Sequence, residues 1–300
     1  MIAFVLSGGG NYGALQAGAL EILLAHNIYP DVLVGVSAGA LNSAWLAGHS
    51  TLDGVRELQE IWYKSAAQQF ISPNRISILL RVAQGRESLL PNEPLQEFVR
   101  RWSPDGAVFG DFVDPGLYVV AARLPDGAAR VFGDHPDEVL FDGLMASTAL
   151  PPLFPPWEID GEFYVDGGIV SDLPILTAVE RGADEIYALQ ITHPPYDPEM
   201  EIPKRVFSLG TQAIAAIIER NTELEIQVVR SRKDIRLHLI PLWTNLDAGF
   251  WNFEYGKEMI EEGKRAAESY FEANQNPYPW HARWRRWFNQ AQKSDWVSDQ

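Results

Sequence analysis

An uninterrupted apolar run, IAFVL at residues 2–6, hands over to a glycine loop, LSGGGNYG at 6–13, and then to an Ala- and Leu-rich stretch at 13–26. The same order recurs at once. The run VLVGV at 32–36 passes through Ser37 into ALNSAWLAG at 40–48. Short apolar runs without polar alternation read as strands buried on both faces. Strand, helix, strand and helix within residues 2–48 therefore predict an α/β layered fold around a mainly parallel sheet.

The rest of the chain continues this pattern less regularly. Residues 53–102 read as mostly helical, with breaks at Pro73 and between Pro91 and Pro94. Strands are expected at 117–123, 129–132, 162–165, 185–191 and 235–240, and helices at 204–232 and 255–273. ALPPLFPPW at 149–157 carries too many prolines for regular structure. The break NQNPYPW then divides the chain into one domain, 1–274, and a Trp/Arg-rich tail, 275–300.

Gly8, Gly10 and Gly13 have the G-x-G-x-x-G spacing of dinucleotide-binding folds, after a strand and before a helix. Such a fold places an acidic residue at the end of its second strand to hold a ribose. Here Asp31 precedes that strand, and its end is Gly35-Val36-Ser37-Ala38-Gly39. G-x-S-x-G is the pattern of a nucleophile elbow, in which small neighbours let a serine sit on a tight strand-to-helix turn. The pentapeptide by itself equally suits a serine that only caps a helix. If the first two strands are neighbours, the glycine loop and Ser37 share one sheet edge. The N–H groups of Gly9 and Gly10 then converge on the oxyanion formed when Ser37 attacks a carbonyl, each donor contributing roughly 3–4 kcal/mol.

A serine nucleophile needs a base, and two routes are open. Asp166, followed by Gly167 and Gly168, ends a predicted strand, although D-G-G is also a turn signal. Burial raises the pKa of such a carboxylate and makes it a better base. The other route is a histidine: His26, His49, His135, His193, His238 or His281. None lies in a recognisable motif, and His193 is the first to consider because it follows the strand ending at Ile191. No spacing suggests a metal site, and no cofactor is expected.

Charge and composition narrow the partners. A net charge of −16 argues against nucleic acid. With no cysteine, thiol catalysis is excluded. The N-terminus lacks a basic n-region, and no apolar run reaches membrane-spanning length, so a cytoplasmic protein is the expectation. Two segments stand outside the α/β rhythm. Residues 70–94 mix Ile and Leu with breakers and predict either a mobile cap beside the site or an ordinary packed helical insertion. In the tail, Trp280, Trp284, Trp287, Phe288 and Ala291 form one helical stripe, flanked by Arg285, Arg286 and Lys293. That stripe suits a helix lying in a lipid interface, giving peripheral membrane contact, or one packed on the domain or a second subunit.

The glycine loop at 8–13, GVSAG at 35–39 and DGG at 166–168, in that order, resemble the patatin-like phospholipase family. NEPLQEFV at 92–99, ASTALPPLFPP at 146–156 and ERGADEIYAL at 180–189 extend the resemblance over roughly residues 2–270. It implies a three-layer α/β/α fold and lipid acyl hydrolysis by a serine–aspartate dyad without histidine. Carried over, Ser37 is the nucleophile, Asp166 the base, and Gly8, Gly9 and Gly10 line the oxyanion hole. The substrate implied is a lipid ester. The alternatives are a non-catalytic lipid-binding protein on the same scaffold and an acyltransferase. Two positions depart from the family pattern: Tyr12 stands where Arg or Lys is common, and Asp172 where Asn is common. A carboxylate at 172 is expected to raise the pKa of one member of the pair it forms with Asp166.

Overall fold

The computed structural model describes residues 1–67, 75–192, 206–246 and 252–274. Chain order is β1 (Ile2–Leu6), α1 (Gly13–Ala25), β2 (Val32–Val36), α2 (Ala38–Gly48), α3 (Leu52–Ala67), α4 (Arg75–Ala83), α5 (Glu93–Val99), β3 (Gly116–Leu124) and β4 (Ala129–Phe132). It continues with α6 (Leu140–Thr148), β5 (Trp157–Ile159), β6 (Glu162–Asp166), α7 (Gly168–Ser171), α8 (Ile175–Glu180), β7 (Glu185–Ile191), α9 (Val206–Arg230), β8 (Arg236–Leu242) and α10 (Gly256–Ala273). The chain divides into a compact body, Met1–Ala267, and a second unit, Glu268–Gln300. The predicted tail helix lies outside the described residues, as does His193.

The strands form one sheet in the order β5-β6-β3-β2-β1-β7-β8, with β4 paired to β3. β3, β2, β1, β7 and β8 are parallel. β4, β5 and β6 join by antiparallel pairing. Alternation sorts the apolar runs onto two faces. Ala3, Val5, Val32, Val34, Val36, Ile186 and Ala188 pack with Leu173 and Ile175 and with Ile226 and Val229 of α9. Phe4, Leu6, Leu33 and Leu189 point the other way and are also fully buried. On that side α1 and α10 cross closely. A Cβ at Gly18 would lie 2.0 Å from the Ile260 carbonyl oxygen, and one at Gly263 would lie 1.9 Å from that of Leu15. The product is three layers, helix on sheet on helix, with a mostly parallel mixed sheet.

One register decides where the site can form. Val36, the last residue of β2, pairs with Val120 of β3. Asp166, the last residue of β6, pairs with Ala121, the next residue of β3. β4 occupies the opposite edge of β3 across Val119 to Ala122. β2 and β6 therefore run toward each other along one edge of β3 and meet end to end. The residue after β2 is Ser37, so the register alone brings it level with Asp166.

Candidate active site

Ser37 sits between β2 and α2 with φ 52° and ψ −119°. A non-glycine residue in this region is strained by roughly 1–3 kcal/mol and persists only where its surroundings hold it. Two features hold it here. Its N–H donates to Ser147 Oγ at 2.9 Å, and that hydroxyl donates to the Val120 carbonyl at 2.7 Å. The turn also closes tightly, because a Cβ at Gly39 would lie 2.2 Å from the Leu6 carbonyl oxygen. Ser147, on α6, lies in the segment 146–156 that the resemblance includes, but no sequence feature assigned it this role. Ser147→Ala leaves the Ser37 N–H without that partner in a buried site, and a loss of roughly 1–3 kcal/mol is expected. Urea unfolding checks this, and an unchanged midpoint counts against the support role.

Asp166 is 3% exposed and Ser37 8%. The Asp166 carboxylate accepts the Gly168 N–H at 2.8 Å, and the nearby Ser37 side chain also favours its charged form. Burial outweighs both influences and pushes its pKa up to about 6. Asp172 follows on the same turn. Its carboxyl faces inward, with Oδ1 at 2.6 Å from where a Gly8 Cβ would be and 3.1 Å from that of Gly168. Burial, then the charge of Asp166, pushes Asp172 up to about 7. Glu225 of α9 adds a third raised carboxyl, shifted up by burial and held by the Ser171 hydroxyl.

The glycine loop borders the same point. Ser7 Oγ accepts the Ile191 N–H at 2.8 Å, and Gln16 Nε2 donates to the Ser7 carbonyl at 2.9 Å. Asn42 joins Gln16 to α2, and Trp62 Nε1 donates to Asn42 Oδ1 at 2.8 Å. This buried chain of amides fixes the loop, and no motif announced Gln16, Asn42 or Trp62. The Gly8 N–H is engaged by the Asp172 carbonyl at 3.2 Å, so Gly8 borders the site with its donor taken. Among the described residues no partner is found for the N–H groups of Gly9, at φ 155°, and Gly10, at φ 58°. Both stand beside the N-terminus of α2, where the helix dipole favours negative charge.

A cleft opens over Ser37, walled by Leu41, Trp62, Leu95, Phe98, Leu150 and Phe253. The lining is apolar apart from Ser37, Thr148 and backbone, the chemistry of a hydrocarbon-binding wall, and the cleft has to widen to admit a chain. Among the described residues no histidine contributes to it. His238 instead stacks on Tyr187 and pairs with Glu185 Oε1 at 3.2 Å. Among the described residues no cluster could hold a metal ion, and no helix is long and apolar enough to cross a membrane.

Residues 4–179 match the family model for patatin-like phospholipase. Patatin-like phospholipase domain-containing protein 7 of Rattus norvegicus is 26% identical over 63% of this chain, and the matched segment spans 13% of that protein's length. Uncharacterized protein YqhO of Bacillus subtilis is 26% identical over 88% of this chain and 96% of its own. Among solved structures, VipD from Legionella pneumophila superposes with a TM-score of 0.52 at 15% identity, covering 90% of this chain and 66% of that one. That likeness bears on the fold alone.

Proposed function

The chain belongs to the patatin-like phospholipase family, and from that premise we propose that it is a lipid acyl hydrolase working through Ser37 and Asp166. The observation that carries the reading is Ser37, on a strained turn, brought level with the buried Asp166 carboxylate by the strand register, with no histidine of the described residues lining the cleft. Ser37 Oγ attacks the ester carbonyl as its proton passes to Asp166. The oxyanion of the tetrahedral intermediate accepts from the Gly9 and Gly10 N–H groups. Asp166 returns the proton to the leaving alcohol, and the acyl group stays on Ser37. Water then attacks the acyl-enzyme as Asp166 accepts its proton, and collapse of the second intermediate releases the fatty acid while Asp166 returns the proton to Ser37 Oγ. The acyl chain lies along the cleft walled by Leu41, Phe98 and Phe253. Acyl transfer to an alcohol uses the same atoms with a different acceptor.

Two measurements together test this. A fluorophosphonate probe is expected to label Ser37, and a panel of phospholipid, lysophospholipid, glyceride and short p-nitrophenyl esters is expected to yield free fatty acid. A folded protein that neither labels nor turns over any ester is a lipid binder instead.

The pH profile gives a sharper expectation. Asp166 acts as base only when ionised, so kcat/KM should rise about tenfold per pH unit up to about 6 and then level. The coupled carboxyls lose their protons in two steps, about 6 and about 7. Asp172→Asn should keep the lower limb and remove any inflection near 7. Asp166→Asn should lower kcat roughly 10²–10⁴-fold. Near-normal turnover in that variant would mean another residue is the base.

A further inference from the structure

α9 is longer than its packing requires. β7 ends at the glycine loop, where Ile191 bonds Ser7, and β8 runs parallel to β7. The helix between them therefore descends from the Ser37 edge of the sheet. Its contacts near that edge are Glu225, which holds Ser171 just after the D-G-G turn, and Thr222, buried one turn before it. Ile226 and Val229, beyond them, are in the core. The residues before them run the other way, outward past the Ser37 edge. From Val206 to Glu225 the rise of about 1.5 Å per residue amounts to roughly 28 Å.

That outward part has an unusual surface. Residues 206–218, VFSLGTQAIAAII, contain no charged side chain. Leu209, Gly210, Gln212, Ala213, Ile214, Ala216 and Ile217 are all exposed, Ile217 at 61%. Exposure around most of the circumference, without charge, is the reverse of a surface helix in water. α4 repeats the feature. Leu79, Leu80 and Val82 are exposed, Leu79 at 69%. α4 is tied to the cleft: Arg81 bonds the Ser88 carbonyl at 2.9 Å, and Leu90 pairs with the Leu153 carbonyl close to Leu150 of the cleft wall. Residues 75–86 carry Arg75, Arg81 and Arg86 and no acidic residue, in a chain of net charge −16.

We infer that α4 and the outward half of α9 form a docking surface for an anionic lipid aggregate, placed on the sheet edge where Ser37 opens. This rests on the lipid acyl hydrolase reading and adds the partner of that same site. Apolar side chains enter the acyl layer while the positive charge of residues 75–86, Arg86 included, meets anionic headgroups. A second copy of this chain is the competing occupant, because Ile214, Ile217, Leu224 and Val228 are exposed at seam-like spacing. The lipid is favoured because the exposed apolar surface near the N-terminus of α9 wraps round the helix rather than forming one stripe, and because α4 brings the positive charge.

The test uses the full chain and vesicles of phosphatidylcholine, with and without phosphatidylglycerol. The protein is expected to co-float with the anionic vesicles at least tenfold more tightly than with the neutral ones. Leu79→Glu/Val82→Glu and Ile214→Glu/Ile217→Glu should each weaken flotation at least tenfold and lower vesicle hydrolysis in proportion. Turnover of a soluble short-chain ester should stay unchanged in both, which also reports that they fold. Arg75→Gln/Arg86→Gln should erase the preference for anionic vesicles. Flotation that survives both apolar variants overturns the inference. So does a concentration-dependent dimer that Ile214→Glu/Ile217→Glu dissociates, since the surface then joins two copies. Ester hydrolysis without flotation defeats the docking surface and leaves the hydrolase intact. Flotation without hydrolysis of any ester defeats the hydrolase reading, and the surface stands.

Discussion

Ser37→Ala is expected to abolish ester hydrolysis, by about 10⁴-fold or more, and to remove fluorophosphonate labelling completely. The covalent bond to the acyl group forms at Ser37 Oγ, and alanine has no atom there. The fold should survive. Alanine keeps the N–H that Ser147 holds, and its methyl group occupies the space of the serine Cβ. The turn strain is also unchanged, because φ 52° is equally unfavourable for serine and alanine. Ser37→Gly serves as the matched control. It removes the nucleophile and relieves the backbone strain, so it should be as inactive as alanine yet more stable by about 1 kcal/mol or more. Thermal unfolding of the two variants beside wild type checks both halves. Residual turnover in Ser37→Ala above a few per cent places the nucleophile elsewhere.

Asp172→Asn should stabilise the protein at alkaline pH and leave it unchanged at acidic pH. The Asp172 carboxyl titrates at about 7 when folded, against an ordinary value of 3.8. The folded state therefore binds this proton more tightly than the unfolded chain does. Below about pH 4 both states are protonated and the group costs nothing. Between about 4 and 7 the unfolded state ionises and the folded state does not, so stability falls as pH rises. Above 7 the loss is constant, on the order of 4 kcal/mol for a shift of about three units. Asparagine keeps the shape and carries no charge, so it avoids that cost. Urea unfolding at pH 8 and pH 4 should show a gain of several kcal/mol at the first and almost none at the second. Equal effects at both values, or destabilisation at pH 8, would mean the carboxyl is not held in this environment. Such a charge, retained against stability beside Asp166, fits a site shaped by chemistry rather than by packing.

Much of the layered core was legible in the chain. β1, β2, β4 and β7 begin and end where the sequence predicts them, and α1 ends within a residue of its predicted limit. β2, β1 after its first residue and the middle of β7 are buried on both faces, so their burial needs no partner to be named. α6 and β5 were not legible. α6 has nine residues and β5 three, too few to show a period, and each is held by what it packs on. Residues 149–157 read as irregular, yet the last of them, Trp157, opens β5 because the hairpin with β6 supplies its bonds.

Ser37, Asp166 and the glycine loop were each legible as local turn chemistry. Gly35 and Gly39 flank a serine at a strand end, and D-G-G closes another strand, because such turns exclude larger side chains at those points. Their meeting was implied by the family resemblance and not by any local pattern. Ser37 and Asp166 lie far apart in sequence, and only the register of β2 and β6 along one edge of β3 brings them level. The same holds for the Ser147 hydroxyl that holds the Ser37 N–H, and for the Asp172 carbonyl that occupies the N–H of Gly8. The sequence by itself determined which residues could take a strained turn, a buried strand or a helix, since those depend on side-chain shape and local periodicity. Tertiary structure decided which donors stayed unpaired and which carboxyls were driven above their ordinary pKa. Both depend on long-range pairing and on exclusion of water, and no stretch of neighbouring residues encodes either.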